Sequence, residues 1–162
     1  SDVIRACADV RAQSVGTWIT PRMQDAYCEL HDSGLAHSVE VWQNGDLVGG
    51  LYGLSLGQMF FGESMFSRIN DGSKLAFYYL NQRLLGWNFT LIDCQMMNPH
   101  LESLGVQPMH RDKFLAVLAD NDLSKTRLGS WSDLGADFGS TLASGTGQTF
   151  DGSAPTAQEP CA

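Results

Sequence analysis

The sequence predicts an α+β fold, a mixed central sheet flanked by helices. Three observations carry that expectation. Thr20-Pro21 opens a helix after an earlier helical stretch. Three strand-like stretches then follow one another between His37 and Glu63, the first two joined by Asn44-Gly45. Beyond them a helical pattern and a strand-like run alternate up to about residue 119.

Each element has a local reason. Residues 2–14 place Val3, Ile4, Cys7 and Val10 on roughly one helical face, with Asp2 as the cap. Thr20 suits an N-cap and Pro21 the first helical position, and Gly34 supplies a left-handed end after about Ser33. His37 to Gln43 alternates as a strand, and Asn-Gly is the strongest short hairpin signal. Leu47 to Leu56 and Met59 to Glu63 read as two more antiparallel strands joined near Gly57. Ser73 to Leu85 has helical apolar spacing. Phe89 to Met96 is strand-like and apolar enough to be buried on both faces, and Asn98-Pro99 ends it. A short helix from Leu101 to Leu104, a return strand near Val106 to Met109 and a helix from Arg111 to about Ala119 complete the order. By analogy of element order this matches a Gcn5-related N-acyltransferase-like domain, and fold alone does not give function.

Composition sets outer bounds. The chain has 162 residues, enough for one domain with a real core over residues 1–130. Residues 131–162 are rich in Gly, Ser, Thr and Ala and read as a disordered acidic tail. Asp133, Asp137, Asp151 and Glu159 there, with no Lys or Arg, hold half of the net charge of −8. A sequence pI near 4.7 argues against nucleic-acid binding through overall charge. Cys7, Cys28, Cys94 and Cys161 fit no zinc or CxxC spacing and read as reduced thiols of a cytoplasmic protein. No apolar run approaches the ~20 residues that span a bilayer. Arg5, Asp9 and Arg11 interrupt any signal peptide, and a start at Ser1 without methionine reads as processing or a fragment.

Two runs place polar groups in apolar surroundings, where an unpaired carboxylate is costly. In Leu91-Ile92-Asp93-Cys94-Gln95, strand alternation projects Asp93 and Gln95 to one side. That pair is open to two readings, a loop anchor or a site that orients an amine. In Gly62-Glu63-Ser64-Met65-Phe66-Ser67, Glu63 ends a strand, either in an ion pair with Arg68 or Lys74 or as an acid selecting a cationic ligand. The histidines lack metal spacing, Cys94 reads as an inward thiol, and Ser64 lacks the second glycine of a nucleophile elbow. Arg68 to Ser73 is too poor in glycine to cradle a phosphate.

Gly16-Thr17-Trp18-Ile19-Thr20, Ala36-His37-Ser38-Val39-Glu40-Val41-Trp42, Leu47-Val48-Gly49-Gly50-Leu51-Tyr52-Gly53, Phe61-Gly62-Glu63-Ser64-Met65-Phe66-Ser67 and Leu91-Ile92-Asp93-Cys94-Gln95 stand in this order. Together, from about Val15 to Leu118, they resemble the bacterial leucyl/phenylalanyl-tRNA–protein transferases.

That resemblance implies transfer of Leu, Phe or Met from the 3′ end of its aminoacyl-tRNA to an acceptor protein with N-terminal Arg or Lys, marking it for degradation. It implies a cytoplasmic monomer, with no metal, no coenzyme A and no membrane. It assigns Asp93 to polarise Gln95, which accepts a proton from the attacking amine. It places Glu63 at the acceptor's basic side chain or the aminoacyl-adenosine end. Trp18, Leu51, Phe60, Met65, Leu80, Leu84 and Ile92 would line the apolar pocket and adenosine site. Leu80 and Leu84 stand where some members have aromatics, and the family's additional N-terminal domain is not in this sequence. The competing readings are a non-catalytic truncated relative that binds basic N-termini or a partner protein, and an acyl-coenzyme A-dependent N-acyltransferase.

Overall fold

The computed structural model describes residues 2–13 and 16–131. Helices α1 (Asp2–Ala12) and α2 (Pro21–Asp32) precede strands β1 (Ala36–Gln43), β2 (Asp46–Leu56) and β3 (Met59–Ser67). Helix α3 (Gly72–Gly86), strand β4 (Leu91–Asp93), and helices α4 (Pro99–Ser103) and α5 (Arg111–Ala119) follow. The sheet has the order β1-β2-β3-β4, antiparallel except for the parallel pair β3–β4. It is a mixed sheet between helices, as the α+β expectation required.

Local chemistry fixes the punctuation. Thr20 accepts the Met23 N–H at 3.4 Å, and Pro21 occupies the first turn of α2. Asn44 and Gly45 both take left-handed φ, 54° and 87°, which matches the twist of the β1–β2 hairpin. Strand alternation then divides the core. Tyr52 and Phe66 pack with Val3, Ile4 and Cys7 of α1 on one face. Their neighbours Leu51 and Met65 pack with Ala76, Leu80 and Leu84 of α3 on the other.

The chain beyond α5 closes over the β2–β3 turn. Asn121 Oδ1 accepts the Gln58 N–H and its Nδ2 donates to Leu56 O, both at 2.9 Å. Thr126 Oγ1 accepts the Gly57 N–H at 2.8 Å. Trp131 stacks on His37 with ring centroids 3.7 Å apart and meets Trp87 edge-on. Residues 132–162, the tail of the sequence reading, lie outside the described residues.

Three expectations are corrected. Strand β3 does not end at Glu63; it runs on to Ser67 because a register shift accommodates the acid. The run from Phe89 to Met96 gives only the three residues of β4, none fully buried. It is an edge strand, and the chain turns at Gln95, whose φ is 62°. Residues 106–109 form no strand: Val106 N–H closes a turn on Leu101 O at 3.1 Å, and Pro108 has no N–H to give a ladder.

Candidate active site

Two irregularities in the sheet build one cavity. In the β2–β3 ladder Tyr52 pairs with Ser64 and Gly53 with Gly62, so Glu63 is the extra residue of a β-bulge. A bulge bends its strand and re-aims a side chain. The β3–β4 ladder covers only Met59–Phe61 against Leu91–Asp93. Past Asp93 the two chains diverge, and a cavity of about 460 Å³ opens between them. That volume lies in the range of small-ligand sites.

The turn that opens the cavity is held by Asp93 and Gln95. Asp93 Oδ1 accepts the main-chain N–H of Gln95 at 2.8 Å. Gln95 Nε2 donates to Gly62 O at 3.0 Å. Among the described residues the other non-glycine left-handed positions are Asn44, Asp71 and Asn88, types that tolerate that conformation. Gln95 is not such a type, and its backbone is held there by the carboxylate. Asp93 and Gln95 are therefore in contact through the Gln95 peptide N–H, whereas the expected strand alternation ends at Asp93 and does not set their side chains side by side.

The cavity has two chemically distinct sides. Leu51, Phe60, Met65, Phe77, Leu80 and Ile92 form an apolar wall toward α3. Arg11, Tyr52, Glu63 and Ser64 form a polar wall toward α1 and α2. Arg11 Nε donates to Ser64 Oγ at 3.1 Å. Burial first, and the Glu63 carboxylate beside it second, hold the Tyr27 phenol protonated. Neither structural ion pair suggested for Glu63 forms, since Lys74 pairs with Asp71 at 2.8 Å and Arg68 donates to Leu47 O at 3.1 Å. Cys94 is only half-buried and lines the cavity, and burial, then the neighbouring Asp93, push its thiol up to about 11. It is an un-ionised wall group at neutral pH.

Trp18, Leu51, Phe60, Glu63, Met65, Leu80, Ile92 and Gln95 thus meet at one cavity. Leu84 does not reach it; at 2% exposure it is a core residue of α3. Asp93 lies behind the wall and acts on it through Gln95. Sequence reasoning missed Arg11 and Tyr27. Arg11 had a signal, because it continues the buried 4, 7, 8 stripe of α1 by one turn beyond Cys7.

A family model for the leucyl/phenylalanyl-tRNA protein transferases matches residues 1–119, so the likeness includes α1 and starts earlier than Val15. The protein of that name from Pseudomonas fluorescens strain SBW25 is 56% identical over 129 residues, 80% of this chain and 57% of that protein. Those from Stutzerimonas stutzeri and Azotobacter vinelandii are 58% and 61% identical, over 74% and 76% of this chain and 53% and 55% of theirs. The chain spans about half the length of the curated relatives it matches. A metagenomic aminoglycoside acetyltransferase structure is 12% identical with a TM-score of 0.46, covering 79% of this chain and 82% of that one, a likeness too loose to bear on chemistry. By its family match and these relatives, the chain belongs to the leucyl/phenylalanyl-tRNA–protein transferase family.

Proposed function

We propose that this chain transfers Leu, Phe or Met from aminoacyl-tRNA to the α-amine of a protein beginning with Arg or Lys. The observation that carries the reading is the two-sided cavity at Gln95, apolar on the Leu51–Leu80 side and acidic at Glu63, in a chain of this family. The names of the relatives are consistent with it, since they state a leucyl- or phenylalanyl-tRNA and a protein.

The reaction needs positioning more than activation. The donor is already an ester, so one C–N bond forms, the ester C–O bond breaks, and a proton leaves the amine while one reaches the ribose 3′-oxygen. The apolar wall takes the Leu or Phe side chain by shape and volume. Trp18, 43% exposed at the cavity mouth, offers a ring face to the terminal adenine. Gln95 has its amide N–H committed to Gly62 O, which leaves its carbonyl oxygen to accept an N–H of the attacking amine. Asp93 fixes the backbone of Gln95 and supplies negative charge behind a nitrogen that becomes cationic. Glu63, on the polar wall beside Tyr27, pairs with the acceptor's basic side chain.

The coenzyme A reading has less support. A pyrophosphate would sit at the start of α3, where Asp71 places a carboxylate bonded to Lys74 at 2.8 Å. Among the described residues no helix is long and apolar enough to cross a membrane. The proposed donor is found in the cytoplasm, where we place a monomeric enzyme. The test is transfer of labelled Phe from Phe-tRNA to an Arg-starting peptide at low salt. Labelled peptide is the expected result; its absence at high enzyme concentration counts against activity of this chain.

A further inference from the structure

Strand β3 has nine residues, and β4 covers only the first three of them on that edge. From Gly62 to Ser67 the same edge pairs with no strand among the described residues. An open edge of six residues, about 20 Å long, is a template for another extended chain. Its first carbonyl, Gly62 O, already accepts an N–H from outside the sheet, that of the Gln95 side chain. The edge also divides the cavity, with the apolar wall on one face and Glu63 on the other. A chain lying on it therefore passes between the two.

Resting on the transferase reading, we infer that the acceptor polypeptide docks as a fifth strand on the Gly62–Ser67 edge of β3, parallel to it. The orientation follows from the chemistry. The acceptor's α-amine must lie at Gln95, which sits at the Gly62 end. Its chain then leaves toward Ser67, in the direction of β3 and in the lane that β4 vacates after Asp93. Glu63, at the same end, meets the first side chain by charge complementarity. Main-chain pairing reads no further side chains, so an enzyme that inspects only the N-terminal residue can hold many proteins in one register.

The test is a series of Arg-starting decapeptides, each N-methylated at one peptide bond, assayed with the full 162-residue chain. Transfer of Phe and binding of the same fluorescent peptides by anisotropy are both measured. Pairing on one edge predicts a period of two: methylation at alternate bonds within the first five or six residues weakens binding about fivefold or more. The bonds between them, and all bonds further on, change it less than twofold. A uniform effect, an effect confined to the first bond, or no binding of the unmethylated peptide overturns the docking mode. Transfer without alternation overturns the docking and leaves the transferase reading intact. Alternating binding without any transfer sustains the docking and counts against the transferase reading.

Discussion

Gly53→Ala probes the bulge that aims Glu63. Gly53 pairs with His37 on one side and Gly62 on the other, one step from the register shift. A Cβ there would lie 2.7 Å from two carbons of the Phe60 ring and collide with the carbonyl oxygen of Phe61. Phe60 is 1% exposed and cannot swing aside, and the carbonyl belongs to the β3 backbone. Replacing glycine stiffens the unfolded chain, a gain of about 0.4–1 kcal/mol. Overpacking a buried site costs about 1–3 kcal/mol, and backbone displacement takes the upper end. The net expectation is a loss of about 2 kcal/mol. With a urea slope of roughly 1–3 kcal/mol per M, the unfolding midpoint falls by about 1 M. Gly86→Ala is the control: nothing lies within 4 Å of its Cβ, its φ is not left-handed, and it closes α3. That variant should gain up to about 1 kcal/mol. Equal stability of Gly53→Ala and the parent chain refutes the close approach of Phe60 and the bulge built around it.

Three further outcomes follow from single interactions. Burial, reinforced by His31, holds His37 neutral down to about 4, so the folded state binds fewer protons than the unfolded one below about pH 6.5. Stability is complete above that pH and is lost as pH falls toward 4, by up to about 3 kcal/mol; urea midpoints across this window should show the loss, and His37→Asn should remove it. Thr20→Ala removes the acceptor for the Met23 N–H and should cost about 1 kcal/mol by thermal or urea unfolding. Glu63→Gln should weaken binding of an Arg-starting peptide ten- to a hundredfold at low salt while leaving a Gln-starting peptide unchanged, the range of a charge-assisted hydrogen bond.

The parts of the fold legible in the sequence are those whose conformation is set by their own residues. Thr20-Pro21 and Asn44-Gly45 carry their caps and turn with them, and α2 and the first hairpin appear where expected. Eight of the residues singled out in the sequence line one cavity, but their depth was not legible. Leu80 and Leu84 lie one turn apart on the same face of α3, and only packing decides that the first reaches the cavity while the second fills the core. Glu63 read as a strand end because an acid interrupts the alternation, whereas the bulge keeps β3 continuous beyond it. The continuous apolar run around β4 suggested a buried strand, since nothing in glutamine announces a left-handed backbone. That turn joins a local contact, Asp93 Oδ1 with the Gln95 N–H two residues on, to a long-range one, Gln95 Nε2 with Gly62 O, and it is what opens the cavity.

The central claim is that Gln95, held by Asp93, presents the amine to the donor ester. Its most direct test is single-turnover transfer from Phe-tRNA to an Arg-starting peptide by the Gln95→Ala chain, with peptide binding measured alongside. The account predicts a loss of transfer rate of about a hundredfold or more with peptide affinity changed by no more than a few fold. Transfer at the parent rate by Gln95→Ala contradicts it.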